Sequence, residues 1–139
     1  MRMTDITGVD FVAIMTKDHD AAVQFYGETL GLPFVKRWGT MPGSEFQAGN
    51  LTLAVMQPDA FGFEWSPSAT MIALQVDDVP AARKRLEEAG VEFRGEILDS
   101  GVCLQTFFAD PDGNPLNLHH RYAPAEPAGE TTQKSEASA

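Results

Sequence analysis

The sequence predicts an α+β fold made of two similar modules, each running strand, helix and then three strands. The first observation is a near repeat, since residues 11–18 and 71–78 are both apolar, strand-like stretches that end in an aspartate. The second is that each stretch precedes an alanine pair and an amphipathic segment, which ends at Gly31 in one case and Gly90 in the other. Paired modules of this kind predict a cleft between them, and small molecules bind in clefts.

The first module begins with residues 10–16, which are apolar and β-branched enough to predict a buried strand. Either Asp18 or Asp20 can cap the helix that follows, and Gly31 can end it in the left-handed conformation. One face of this helix carries the residues that we expect to point inward: Ala22, Phe25, Tyr26, Thr29 and Leu30. Turn signals then separate three predicted strands near 34–39, 44–48 and 51–56.

The second module repeats this order after a connector, residues 58–69, whose prolines and aromatic residues break the periodicity. Asp78 is expected to cap its helix, with Pro80 in the first turn, where proline is favoured. Strands are predicted near 91–97, 102–109 and 115–120. We therefore expect one domain over residues 1–122, with module one at about 8–57, module two at 70–122, and a disordered tail over 123–139.

The composition excludes several classes of partner. The formal net charge of -10 is spread along the 139 residues, and such a surface repels nucleic acid and anionic membranes. No apolar run approaches the length of a transmembrane helix. Cys103 is the single cysteine, so an intramolecular disulfide is impossible, and the first residues lack the apolar core of a signal peptide. We therefore expect a cytoplasmic protein without nucleic-acid or membrane partners.

Three short motifs stand out within this pattern: FYGETLGL over 25–32, IALQVDD over 72–78 and FADPDGNPL over 108–116. In this order and spacing they resemble the vicinal oxygen chelate superfamily, which includes glyoxalase I, extradiol dioxygenases and bleomycin-resistance-type binding proteins. The resemblance covers roughly residues 8–122. It implies two βαβββ modules that form a curled mixed sheet around a shared cavity, and it implies a homodimer.

In metal-using members of this superfamily, each module supplies one metal ligand from its first strand and one from its last. The resemblance places these positions at Phe11 and Met71 in the first strands, and at Leu53 and Asn117 in the last strands. Phenylalanine and leucine cannot bind a divalent ion, methionine sulfur suits hard cations poorly, and asparagine offers a neutral oxygen. We therefore expect no metal and no other cofactor.

The histidines do not restore a ligand set. His119 and His120 are adjacent on a predicted strand, so their side chains point to opposite faces. By alternation with Asn117, His119 is expected to face the cavity, where it is the candidate catalytic residue, while His120 is expected to be exposed or bonded locally. His19, at a helix start, is expected to face solvent. One histidine beside Asn117 is an incomplete ligand set for zinc.

The same alternation predicts which side chains line the cavity. The predicted ligand-binding residues are Phe11, Met15, Trp38, Leu53, Phe61, Trp65, Met71, Gln75, Asn117 and His119. The connector aromatics Phe61, Phe63 and Trp65, with Trp38, could close over a planar ligand or pack against a partner subunit, and the sequence leaves both options open. It also leaves open the strand register, and so the facing, of Gln47, Gln105 and Cys103.

Two functions from different classes follow from these observations. The missing ligands, the acidic surface and the aromatic connector favour a metal-independent protein that binds or sequesters an aromatic or cationic small molecule. The alternative is a lyase or isomerase of the same fold, in which His119, or Glu45 or Glu96 if either enters the cavity, acts as general base. A glyoxalase-like metalloenzyme is the least favoured function, because the ligands that it needs are absent from the expected positions.

Overall fold

The computed structural model describes residues 5–124, and this part of the chain contains two four-stranded sheets and two α-helices. The elements of the first module are β1 (Val12–Met15), α1 (His19–Gln24), β2 (Phe34–Arg37), β3 (Gly43–Ala48) and β4 (Leu51–Met56). Those of the second are β5 (Ile72–Gln75), α2 (Val79–Glu88), β6 (Phe93–Asp99), β7 (Cys103–Ala109) and β8 (Pro115–Arg121). The predicted order of strand, helix and three strands is confirmed in both modules.

Two short helical turns complete the described chain. A π-helical turn over Phe25–Thr29 continues α1, and a 3-10 turn over Pro58–Phe61 opens the connector. No helix within residues 5–124 is long and apolar enough to cross a membrane. Of the predicted disordered tail, 123–139, everything from residue 125 onward lies outside the described residues.

Both sheets are mixed and have the same topology. The strand orders are β1-β4-β3-β2 and β5-β8-β7-β6, with β1 parallel to β4 and β5 parallel to β8. The registers are also equivalent, since Ala13 lies opposite Ala54 in the first sheet and Ala73 lies opposite Asn117 in the second. The α+β fold of two βαβββ modules is therefore confirmed.

Each helix begins and ends with the residues that the sequence indicated. Asp18, rather than Asp20, caps α1 by accepting a hydrogen bond from the backbone N–H of Ala21, and Asp78 caps α2 in the same way at Ala81. Gly31 and Gly90 follow the helical segments with φ of 76° and 96°. These left-handed values favour glycine, which has no Cβ to clash.

One face of each sheet packs against the helices, and the two packed faces share a single hydrophobic core. Its fully buried members include Tyr26, Phe46, Leu53, Val55, Leu86, Phe108 and Leu116. Because strand side chains alternate, the opposite face of each sheet carries the intervening residues. We call these helix-free surfaces the inner faces: the first includes Ala13, Met15, Glu45, Ala54 and Met56, and the second includes Ala73, Gln75, Gln105, Asn117 and His119.

The turn between β7 and β8 joins the two modules. The buried Asp110 carboxylate accepts hydrogen bonds from the Tyr26 hydroxyl at 2.7 Å and from Asn114 Nδ2 at 2.8 Å. Asn114 Nδ2 also donates to the backbone carbonyl of Met15, at 2.9 Å. Burial, reinforced by Asp110, raises the pKa of Tyr26 above its usual value, so its hydroxyl remains a donor. This motif is therefore a structural link between modules.

Candidate functional site

The inner face of the first sheet carries an aromatic group centred on Trp38. The indole Nε1 donates a hydrogen bond to Glu45 Oε2 at 2.6 Å. Phe11 and Phe61 pack edge-to-face against it, with ring centroids 6.0 Å and 5.7 Å from that of Trp38. The indole also covers Gly43, where an added Cβ would overlap its six-membered ring. We call Phe11, Trp38, Glu45 and Phe61 the Trp38 cluster, and its contacts hold Trp38 on several sides.

The Glu45 carboxylate in this cluster lacks a positive partner. Within residues 5–124, the ion pairs closer than 4.0 Å are His19–Asp20 and Arg83–Glu87, and neither involves Glu45. Lys36 lies opposite Glu45 in the register of β2 and β3, yet no Lys36–Glu45 ion pair forms. A half-buried carboxylate next to aromatic rings creates a negative local potential that favours a cation.

The inner face of the second sheet carries neutral amides around Asn117. Its Nδ2 donates to Gln105 Oε1 at 2.9 Å. Asn117 is 3% exposed, and its Oδ1 is buried without a hydrogen-bond partner among the described residues. Beside it, an open cleft of about 530 Å³ is lined by Ala73, Gln75, His119, His120, Arg121 and Ala123. This face therefore offers hydrogen-bonding groups where the first offers aromatic rings and a charge.

Comparison with known proteins assigns this architecture to a family. A model of the Glyoxalase/Bleomycin resistance protein/Dioxygenase superfamily matches residues 8–118. The chain belongs to this superfamily. The resemblance of its three sequence motifs is thereby confirmed.

Solved structures with the same fold match most of the chain. A glyoxalase family protein from Bacillus anthracis is 21% identical with a TM-score of 0.72, covering 87% of this chain and 99% of that one. Lactoylglutathione lyase from Agrobacterium tumefaciens is 18% identical with a TM-score of 0.67, covering 84% and 95%. TnmS3, an antibiotic binding protein from Streptomyces sp. CB03234, is 26% identical with a TM-score of 0.70, covering 85% and 98%. Proteins that share this fold thus include one named as a lyase and one named as an antibiotic binding protein.

The residues at the expected ligand positions do not fit the divalent metal that other superfamily members use. The equivalent registers put Ala54, rather than Leu53, at the position that corresponds to Asn117. With Phe11 and Met71 in the first-strand positions, only Asn117 offers an oxygen atom to a hard cation. Across residues 5–124, no group of three or more His, Cys, Asp or Glu side chains could hold a metal ion.

Several residues proposed from the sequence share one of the two inner faces. Phe11 and Phe61 each pack against Trp38, and half-buried Met15 lies on the same face of the first sheet. On the second sheet, Gln75 lies opposite His119 in the register, and Asn117 lies on the same face as both. Met71, just before β5, is 46% exposed.

Leu53 and Trp65 lie elsewhere. Leu53 is fully buried in the hydrophobic core, on the face of β4 that packs against α1, so the expectation that it lines the cavity is corrected. The reason is alternation: Ala54, one residue later, is the one that points to the inner face. Trp65 packs against Lys17, whose Nζ is 4.1 Å from the ring centroid, and its Nε1 is buried without a partner among the described residues.

His19 is not exposed to solvent, so the expectation for this residue is wrong. It is 4% exposed, and its Nε2 lies 2.8 Å from Ser44 Oγ. Burial, followed by the charge of Arg37, lowers the pKa of His19 below 6.5. Although Asp20 lies 3.7 Å from His19 Nδ1, the group is not a nucleophilic triad, because buried Ser44 is closed to a substrate.

The structure also shows where the side chains of Gln47, Gln105 and Cys103 lie, which the sequence left open. Gln105 lies opposite His119 on the second inner face, and its contact with Asn117 was missed because strand register is not readable from sequence. Gln47 accepts a hydrogen bond from Thr52 across the first inner face. Cys103 is half-buried, with Sγ 3.1 Å from Ser100 Oγ at the start of β7.

Proposed function

We propose that this protein binds a flat, positively charged small molecule at the Trp38 cluster, without a metal ion. The observation that supports this most directly is the Glu45 carboxylate, which accepts a hydrogen bond from Trp38 and has no positive partner within 4.0 Å among residues 5–124. A cation over an aromatic ring gains about 0.5–2 kcal/mol, and more beside a carboxylate. An aromatic cation can pack against the rings and pair with the Glu45 carboxylate.

Two further properties support binding as the function. The net charge of -10 raises the local concentration of cations around the chain. The contacts of Trp38 with Glu45, Phe11 and Phe61 pre-organise the indole, so little side-chain entropy is lost when a ligand packs against it. The likeness to the antibiotic binding protein TnmS3, at 26% identity, is in keeping with this class of function.

The lyase or isomerase alternative has less support. A general base is normally oriented by a hydrogen bond from another group, and the His119 ring has no such partner among the described residues. Glu96 is exposed on β6 and also has no orienting hydrogen bond among the described residues. Glu45 is oriented by Trp38, but no second acid or base of the described residues contacts its carboxylate, so binding of a cation is the better supported role for this group.

We also propose that the chain forms a homodimer. The second module leaves large apolar side chains exposed, with Met71 at 46% and Leu98 at 50%. Such a surface is favoured to bury itself against another protein surface. Light scattering on the full chain should give twice the monomer mass, whereas a monomeric mass at high concentration would contradict this part of the proposal.

Isothermal titration calorimetry of the full chain with proflavine, a flat cation, and acridone, a neutral molecule of similar shape, tests the proposed ligand class. Proflavine should bind at least roughly tenfold more tightly, and Glu45→Gln should remove that preference. Glu96→Gln is the matched control, since it removes the same charge from an exposed site on the other sheet. Excess EDTA should leave the proflavine affinity unchanged.

Three outcomes of this titration would contradict the proposal. Equal affinities of the wild-type chain for proflavine and acridone would show that the positive charge of the ligand does not contribute to binding. Equal effects of the Glu45→Gln and Glu96→Gln variants would show that the net charge, rather than the Trp38 cluster, attracts the cation. Loss of binding in EDTA would show that a metal ion is required.

A further inference from the structure

We infer that the amide pair of Asn117 and Gln105 is a second recognition point, which takes a neutral carboxamide-like group of a small molecule. In this arrangement the ligand N–H donates to Asn117 Oδ1, and the ligand carbonyl accepts from Gln105 Nε2. The inference rests on the proposed binding function and adds the chemical class of a second ligand group.

The oxygen of Asn117 carries the argument. Asn117 is 3% exposed, and its Nδ2 is used in the hydrogen bond to Gln105 Oε1. Its Oδ1 is buried with no partner among residues 5–124, although buried acceptors are nearly always paired. An unpaired buried carbonyl weakens the folded state, and a ligand N–H that reaches it removes that deficit.

The surroundings of Asn117 allow a ligand to approach. Asn117 lies opposite Ala73 of β5 in the register. The Ala73 side chain is small and exposed, so it does not block access to Asn117 from that side. The open cleft of about 530 Å³ is lined by Ala73 and by the neighbouring pair Gln75 and His119. A small molecule in this cleft therefore lies next to Asn117.

The chemistry of the pair selects the ligand group. Asn117 Oδ1 is an acceptor, and Gln105 Nε2 is a donor with no partner among the described residues, since only Gln105 Oε1 is engaged. A primary carboxamide presents the complementary donor and acceptor together on one edge. A carboxylate has no donor for Asn117 Oδ1, and a tertiary amide has none either. The amide pair therefore distinguishes carboxamides by their N–H.

The test compares naphthamide with its N,N-dimethyl derivative, which keeps the carbonyl and loses the N–H. By isothermal titration calorimetry the full wild-type chain should bind naphthamide at least roughly tenfold more tightly, because the derivative leaves Oδ1 unpaired. Asn117→Leu should abolish this preference. Gln105→Met, at a half-buried position, is a second variant that should reduce it, and circular dichroism checks that both variants fold.

Nuclear magnetic resonance of side-chain amides gives a readout that a merely structural role would not move. The Asn117 NH₂ signals, assigned from the Asn117→Leu variant, should shift more with naphthamide than with the dimethyl derivative, because only naphthamide donates a hydrogen bond to Oδ1. Equal affinities of the wild-type chain for the two compounds, or unmoved signals, would overturn the inference. Proflavine binding on the same samples separates this inference from the proposed function. If the amide test fails while proflavine still binds, only the amide inference is wrong. If proflavine does not bind either, both are wrong.

Discussion

Tyr26→Phe removes one hydroxyl from the link between the two modules. The Tyr26 side chain is fully buried, and its hydroxyl donates to Asp110 Oδ2 at 2.7 Å, across 84 positions of sequence. The ring of phenylalanine fills the same space, so the packing against Phe25 and Phe46 should be preserved. The perturbation is therefore the loss of one charge-assisted hydrogen bond from a buried carboxylate.

We expect this change to lower the free energy of unfolding by about 2 kcal/mol, the usual contribution of a hydrogen bond to a charged group. With a urea m-value of about 2 kcal/mol per molar, the unfolding midpoint should fall by about 1 M. Urea titrations followed by circular dichroism measure the midpoint and the slope together. An unchanged slope shows that the difference lies in stability rather than in the extent of unfolding.

Tyr122→Phe is the matched control. Tyr122 also donates its hydroxyl to an aspartate, at 2.8 Å to Asp99 Oδ1, but this pair is exposed to water. Solvent replaces an exposed hydrogen bond at little cost, so the midpoint of this variant should remain close to that of the wild-type chain. Equal midpoints for the two variants would refute the conclusion that the buried Tyr26–Asp110 bond stabilises the modules.

Two other predictions follow from buried contacts of the first module. Because the folded-state pKa of His19 is lowered below 6.5, the unfolded chain binds more protons in mild acid, and stability should fall as pH drops below about 6.5. In urea titrations at several pH values, His19→Gln should show a shallower decline than the wild-type chain; parallel declines would contradict this. Gly43→Ala adds a Cβ that overlaps the Trp38 indole, so it should change the near-ultraviolet circular dichroism and weaken proflavine binding roughly tenfold. Gly8→Ala, with open space around it, is the control, and a Gly43→Ala variant that resembles it would argue against a fixed indole.

The repeat in the sequence was enough to predict the order of elements, because each module carries its own helix cap and glycine stop. Asp18 and Asp78 act as caps, and Gly31 and Gly90 adopt positive φ. These signals are local, since a cap or a left-handed glycine is set by a few neighbouring residues. Such signals can therefore be recognised in the sequence before the tertiary structure is known.

The side of the sheet to which a side chain points could be predicted only where polar and apolar residues alternate along the strand. On β8, polar Asn117 and His119 alternate with buried Leu116 and Leu118, so both facings follow from the sequence. On β4 both faces are apolar and buried, and alternation cannot choose between Leu53 and Ala54. The partner of Asn117, Gln105, depends on the pairing of β7 with β8, which no local pattern specifies.

The equivalent backbones of the two modules and the unlike chemistry of their inner faces have a consequence for how a ligand is oriented. If both faces were alike, the approximate symmetry of the halves would let a molecule bind in two reversed directions with equal affinity. The two faces differ, since one carries Glu45 and Trp38 and the other carries Asn117 and Gln105. The two reversed directions of binding therefore differ in affinity. A ligand that touches both faces has one preferred direction, so the same end of it meets the same module in every molecule of the protein.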